Sequence, residues 1–193
     1  MCSLIHTPLV LLDFDGTLAH LNVDWDVLKK HLARYSETHG FQWEHTQGLD
    51  ANLRKLRESH GEKLFRACCT MIARAEVDGF TPDRVNHTLL ELLCRRGQRP
   101  VGIVSSNTHA ALKHILHHPV WGGLSPVIIG KEDVEQGKPH PEGLLKACEI
   151  WKIPCNEAVY VGNTQVDCLA AQAAGIPFRY VQTLESYAVS ADS

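Results

Sequence analysis

The sequence has no Cys-x-x-Cys pair, no excess of positive charge and no long apolar run, and each absence removes a class of protein. Its seven cysteines are an odd number, with Cys68 and Cys69 adjacent. That spacing suits neither an intramolecular disulfide nor a common zinc pattern, so reduced thiols are expected. A formal charge of −3 offers no basic face, and no nucleic-acid partner is expected. No stretch approaches the roughly 18 apolar residues of a membrane span. The first residues, 1–7, are few, and the apolar run that follows stops at Asp13, so no signal peptide is expected. These absences together point to a cytoplasmic protein with no membrane partner, monomeric by default.

What is present is globular. Charged residues make up 21% and hydrophobic ones 44% of 193 residues, enough for one domain or a core with a modest insertion. Pro8-Leu9-Val10-Leu11-Leu12 reads as a buried strand, apolar on both faces as a parallel sheet requires. From 22 to 80 the apolar spacing is helical throughout: Val23, Val27, Leu28, Leu32 and Tyr35; Leu49, Leu53 and Leu56; Leu64, Phe65, Cys68 and Ile72. Thr81 and Pro82 suit the start of a further helix, with Gly97 beyond its end. Strands are then expected at 99–104, 126–129 and 158–161, with a short one at 178–181. Helices are expected at 108–117, 141–151 and 165–174, and the tail after Thr183 is expected to fray.

The alternation predicts an α/β fold: a Rossmann-like, mostly parallel sheet with helices on both faces. A small all-helical cap is inserted after the first strand. The core is expected over 1–20 and 81–193, the cap over 21–80.

The densest chemical signal is Asp13-Phe14-Asp15-Gly16-Thr17, directly after the first strand. Asp and Gly are ordinary turn residues, which accounts for one carboxylate but gives no reason for two, two residues apart. On extended backbone such a pair points the same way. Phosphoryl transfer through a carboxylate nucleophile needs that pair, one attacking and one handling the leaving group's proton. A carboxylate repels a phosphate, so Mg2+ is expected between them. Gly16 allows the turn, and Thr17 is placed to orient Asp15.

Here the chain resembles the haloacid dehalogenase-like hydrolases. Leu11 to Leu18 matches their first motif, Val101 to Asn107 their second, Gly137-Lys138-Pro139-His140-Pro141 their third, and Tyr160-Val161-Gly162-Asn163 with Asp167 nearly matches their fourth. The resemblance covers about 9–175 and implies a nucleophile at Asp13 and a general acid and base at Asp15. It implies phosphate binding by Ser105, with the backbone N–H groups of Ser106 and Asn107 at a helix start, and by Lys138. It implies magnesium ligated by Asp13, the Asp15 backbone carbonyl and residue 163, with Asp167 behind them. The helical insert is similar in position to the cap of phosphoglycolate phosphatase-like members, and the implied partner is a small phosphorylated metabolite. Asp15 favours phosphate chemistry over carbon–halogen cleavage, while a phosphomutase shares the same pair.

Asn163 departs from the family's Asp. A neutral amide is a poorer ligand for a hard cation, and a loss of roughly 10–100-fold in metal affinity or activity is expected. A weakened enzyme, a pseudo-enzyme that binds phosphate or a partner, and a substitution made to trap substrate all fit it. Other features carry blander readings. Arg34, Arg54, Arg57, Arg66 and Arg74 are expected on solvated faces, and Trp25 and Trp43 in packing between insert helices. His114, His117 and His118 read as surface residues, and Cys94, Cys148, Cys155 and Cys168 as small apolar packing groups.

Overall fold

A strand with no polar face must be covered on both sides, and Leu9 to Leu12 is completely buried. In the computed structural model, which describes residues 2–182, this strand (β1, Leu9–Leu12) is the centre of a five-stranded sheet. The tail after Thr183 lies outside the described residues. β2 (Val101–Val104) and β4 (Ala158–Gly162) flank β1, with β3 (Val127–Ile129) and β5 (Phe178–Tyr180) at the edges. Every pairing is parallel, with Val10 beside both Val101 and Val159.

The period of two along β1 divides the core. Val10 and Leu12 join Ile103 and Val161 on one face, beneath α5 (His87–Cys94) and α6 (His109–Ile115). Leu9 and Leu11 join Val104 and Tyr160 on the other, beneath α7 (Glu142–Trp151) and α8 (Gln165–Ala174). Each fully buried Leu or Val contributes about 1.5–3 kcal/mol. The four strands expected after the insert lie within a residue or two of where the sequence puts them. A five-residue helix, Cys2–His6 (α1), precedes the sheet.

The insert holds α2 (Trp25–Glu37), α3 (Leu49–His60) and α4 (Glu62–Asp78), with no strand among its residues. Its own core gathers Leu28, Leu32, Trp43, Leu56, Phe65 and Ile72. The last turns of α4 and the residues just after it serve the sheet's core as well, since Ala73, Val77 and Phe80 pack against the cluster around Val10 and Leu12.

The helix expected at Thr81 starts later. Pro82–Arg84 is a single 3-10 turn, after which Val85 is extended and bridges Ala19. Asn86 then caps α5, its side chain accepting from Leu89 N at 3.0 Å. The bridge to Ala19 overrides the local Thr-Pro signal. Cys94 is exposed, while Cys148 is buried as expected. Among the described residues no helix is long and apolar enough to cross a membrane.

Candidate active site

All four motifs end at the carboxyl edge of the sheet, where open α/β sheets leave a crevice. Past Leu12 the alternation continues: Phe14 turns into the core with no exposure, while Asp13 and Asp15 line a cleft of about 560 Å³. Ser105, Ser106, Asn107, Lys138 and Asn163 line it too. A smaller cavity of about 240 Å³ shares Ser105, Ser106 and Lys138 and runs beneath α3, past Arg54 and Phe65.

Asp13 is buried, and its Oδ1 accepts from Ser105 Oγ at 2.7 Å and from Lys138 Nζ at 2.9 Å. Among the described residues its Oδ2 accepts no hydrogen bond. Lys138 also donates to Asp167 Oδ1 at 2.5 Å and to Tyr160 Oη at 3.1 Å. Burial alone would pull the Lys138 ammonium down, but Asp13 and Asp167 outweigh it and hold the pKa above the usual lysine value. The charge is therefore locked in place beside Asp13.

Asp167 has no exposure. Its Oδ1 takes Lys138 and Tyr160, and its Oδ2 takes Thr164 N at 3.0 Å and Thr164 Oγ1 at 2.5 Å. Burial pushes its carboxyl up, yet Lys138 and the Thr164 bonds leave it below the ordinary value. With every oxygen engaged by protein, Asp167 stands behind the cleft and orients Lys138. The same Thr164 bonds cap α8, as the Thr-x-x-Asp spacing allows.

Asp15 accepts from Leu21 N at 2.8 Å. Burial, aided by the nearby Asp13, raises its pKa against the opposing Leu21 bond and His20. A carboxyl that keeps its proton toward higher pH suits an acid. Thr17 does not orient it: the turn carries the Thr17 hydroxyl beneath the fourth motif, 3.4 Å from Asn163 Oδ1. Gly16 has φ +78°, and a Cβ there would stand 2.1 Å from Asn163 Nδ2. Only a glycine lets the amide lie against the turn that carries Asp13 and Asp15.

The oxygens at this end of the cleft, from Asp13, Asp15 and Asn163, suit a hard cation such as magnesium. They include only two carboxylates, and among the described residues no three His, Cys, Asp or Glu side chains converge as a metal site. His114, His117 and His118 are exposed.

The turn after β2, expected to bind phosphate, differs from expectation in one respect. α6 begins at His109 with Thr108 as its N-cap, so Ser106 and Asn107 lie in the turn ahead of it. Asn107 N–H donates to Ser105 Oγ at 3.3 Å. Of the insert's arginines, Arg54 lines the smaller cavity. Arg57 is tied to Glu62, to the Val134 carbonyl and to the Phe65 ring. Arg34, Arg66 and Arg74 are exposed. Trp43 is buried in the insert, whereas Trp25 lines the cleft.

Sequence reasoning missed Tyr160 and Glu76. Tyr160 reads as one apolar strand residue among several, yet its hydroxyl reaches Val104 O and Asp167 Oδ1, each at 2.9 Å. Glu76 lies on α4, far along the chain from any motif, and is completely buried. Burial raises its pKa against bonds from Thr108 and Asn107.

Comparison with known proteins points to one family. A family model described as haloacid dehalogenase-like hydrolase matches residues 10–181. The bifunctional riboflavin kinase/FMN phosphatase of Arabidopsis thaliana is 27% identical over 188 residues, covering 86% of this chain and 46% of that protein. A phosphoglycolate phosphatase of Xanthomonas campestris is 37% identical over 76 residues, 39% of this chain and 34% of its own. The chain thus spans less than half the length of these curated relatives. A solved structure from Bacteroides fragilis, assigned as a haloacid dehalogenase-like hydrolase, superposes with a TM-score of 0.62 at 26% identity, covering 89% of this chain and 85% of that one.

Proposed function

Since the chain belongs to the haloacid dehalogenase-like hydrolases, we propose that it is a magnesium-dependent phosphatase acting on a small phosphate monoester through an aspartyl-phosphate on Asp13. The observation that carries this reading is the shared Asp13 Oδ1, held by Ser105 at 2.7 Å and Lys138 at 2.9 Å. A carboxylate fixed by a hydroxyl and a buried ammonium, and open toward a cleft, is arranged to attack.

Asp13 attacks phosphorus, and the bond from phosphorus to the ester oxygen breaks. Asp15 gives its proton to the departing alkoxide, then takes one from the water that hydrolyses the phosphorylated Asp13. Ser105 and Lys138 bear on the phosphoryl oxygens, and Asp167 with Tyr160 keeps Lys138 aimed there. Asp13, the Asp15 carbonyl and Asn163 would hold the magnesium ion, which supplies positive charge to offset repulsion between carboxylate and phosphate. The insert covers the cleft and selects the leaving group, and a cytoplasmic location suits a reduced, metabolite-handling enzyme.

A second reading is favoured by Asn163: with two carboxylates at the metal end, the chain binds phosphate without turning it over. Magnesium-dependent release of phosphate from an aryl phosphate separates the two. The chain, Asn163→Asp and Asp13→Asn are compared. Turnover by the chain that Asp13→Asn abolishes supports the phosphatase. Turnover by Asn163→Asp alone supports the binding reading, and inactivity of all three on a broad phosphate panel overturns the hydrolase assignment.

A further inference from the structure

Ser105 has one hydroxyl proton and two acceptors within reach, Asp13 Oδ1 at 2.7 Å and Asn107 Oδ1 at 2.8 Å. The second acceptor exists only while the Asn107 amide faces one way. Asn107 Nδ2 donates to Glu76 Oε1 at 2.8 Å, and this bond sets the amide. The other Glu76 oxygen accepts from Thr108 N at 3.0 Å and Thr108 Oγ1 at 2.5 Å, where the chain enters α6. Glu76 belongs to α4, a helix of the insert, and has no solvent exposure.

We propose that Glu76 is a positioning residue that fixes the phosphate-binding turn from within the insert, acting through Asn107 and Thr108. The inference rests on the phosphatase reading and extends it to a residue outside all four motifs. A carboxylate accepts only, so the three donors around it are satisfied together and the turn has one arrangement. The phosphoryl group then meets a turn already formed, without ordering it on arrival. Because α4 carries Glu76, the turn is in register only while α4 is seated on α6.

The sign of the effect makes the claim testable. Removing a buried negative charge near an anion site would, by electrostatics alone, tighten phosphate binding. A positioning role predicts the reverse. The turn grips the phosphoryl group in ground and transition states alike, so its loss raises KM with little change in kcat. Partial unfolding lowers the concentration of active enzyme, and so apparent kcat, with KM unchanged.

The experiment measures KM and kcat for an aryl phosphate, and inhibition by inorganic phosphate, in the parent, Glu76→Gln, Glu76→Ala and Ile72→Ala. Ile72 is buried in the insert's own core on the same helix and controls for loss of stability. Loss of hydrogen bonds to a charged group predicts KM and the phosphate inhibition constant raised about 10-fold or more in Glu76→Ala. Glu76→Gln, which keeps the Thr108 bonds, is expected to lie between, and Ile72→Ala to leave KM unchanged. Should Glu76→Ala not fold, the isosteric Glu76→Gln carries the test. An unchanged KM, or tighter phosphate binding, in the folded Glu76 variants overturns the proposal.

If the parent neither hydrolyses nor binds phosphate, the phosphatase reading fails separately. Hydrogen exchange of the Asn107 side-chain amide then decides whether Glu76 fixes the turn. Slow exchange in the parent and fast exchange in Glu76→Gln supports it, and equal exchange overturns it.

Discussion

Replacing Lys138 by Met tests the electrostatic centre of the cleft without enlarging it. The Lys138 side chain is 9% exposed, and its ammonium donates to Asp13, Asp167 and Tyr160. Its loss leaves two buried carboxylates facing each other, and breaking a buried pair from one side costs about 3–5 kcal/mol. In urea, with an m-value of about 2 kcal/mol/M, the midpoint should fall by roughly 1.5–2.5 M. The loss should depend on pH in a definite direction. Asp167 is held below its ordinary value despite burial, so in the parent it contributes stability above the unfolded carboxylate pKa, and this is lost as pH falls through the folded one. Without Lys138, burial carries the folded pKa above the unfolded one. The variant is then penalised at neutral pH and recovers as pH falls. Urea unfolding of parent and variant in EDTA at about pH 8 and about pH 5 should show the gap narrowing in acid. A gap below about 1 kcal/mol, or one equal at both values, would refute the reasoning.

Three other outcomes are expected. Asp15→Asn should slow steady-state turnover of alkyl and aryl phosphates alike about 100-fold or more, because both need the base of the second step, while the first-turnover burst of an aryl leaving group that needs no proton persists, checked by burst kinetics on matched substrates. Gly16→Ala would press a methyl group to 2.1 Å from the Asn163 amide at φ +78°. It should weaken magnesium-induced thermal stabilisation about 10-fold in midpoint concentration, read by melting curves across a magnesium titration. Arg96 is buried, and its guanidinium donates to the carbonyls of Leu4, Thr7 and Pro100. Arg96→Ala leaves three acceptors without it and should cost about 3 kcal/mol or more in urea unfolding, with KM unchanged.

The parts that the sequence revealed are those where a local pattern has one physical solution. Leu9 to Leu12 has no polar face, so it had to be a central strand, and the carboxylates after it had to emerge at its end. The insert's helices were legible because their apolar positions repeat over several turns. Thr81 and Pro82 misled because a long-range bridge between Ala19 and Val85 outweighed a capping preference. Thr17 was expected to serve Asp15, but the left-handed Gly16 redirects the chain toward Asn163. Glu76 and Arg96 were invisible because a single charged residue in an amphipathic helix, or just after one, reads as surface. Only tertiary packing reveals that both are buried.

The double allegiance of α4 bears on how such folds exchange their inserts. A grafting experiment would cut near residues 21 and 80 and splice in another enzyme's insert. That cut would remove Ala73, Val77 and Phe80 from the cluster over β1, and with Phe80 the ring that stacks 6.1 Å from Trp121. It would also leave Thr108 and Asn107 without their shared acceptor. The separable cassette therefore ends inside a helix. A chimaera that keeps the native last turns of α4, from about Ala73 onward, should fold with a foreign insert, whereas one spliced at the loop should lose part of the parent hydrophobic core.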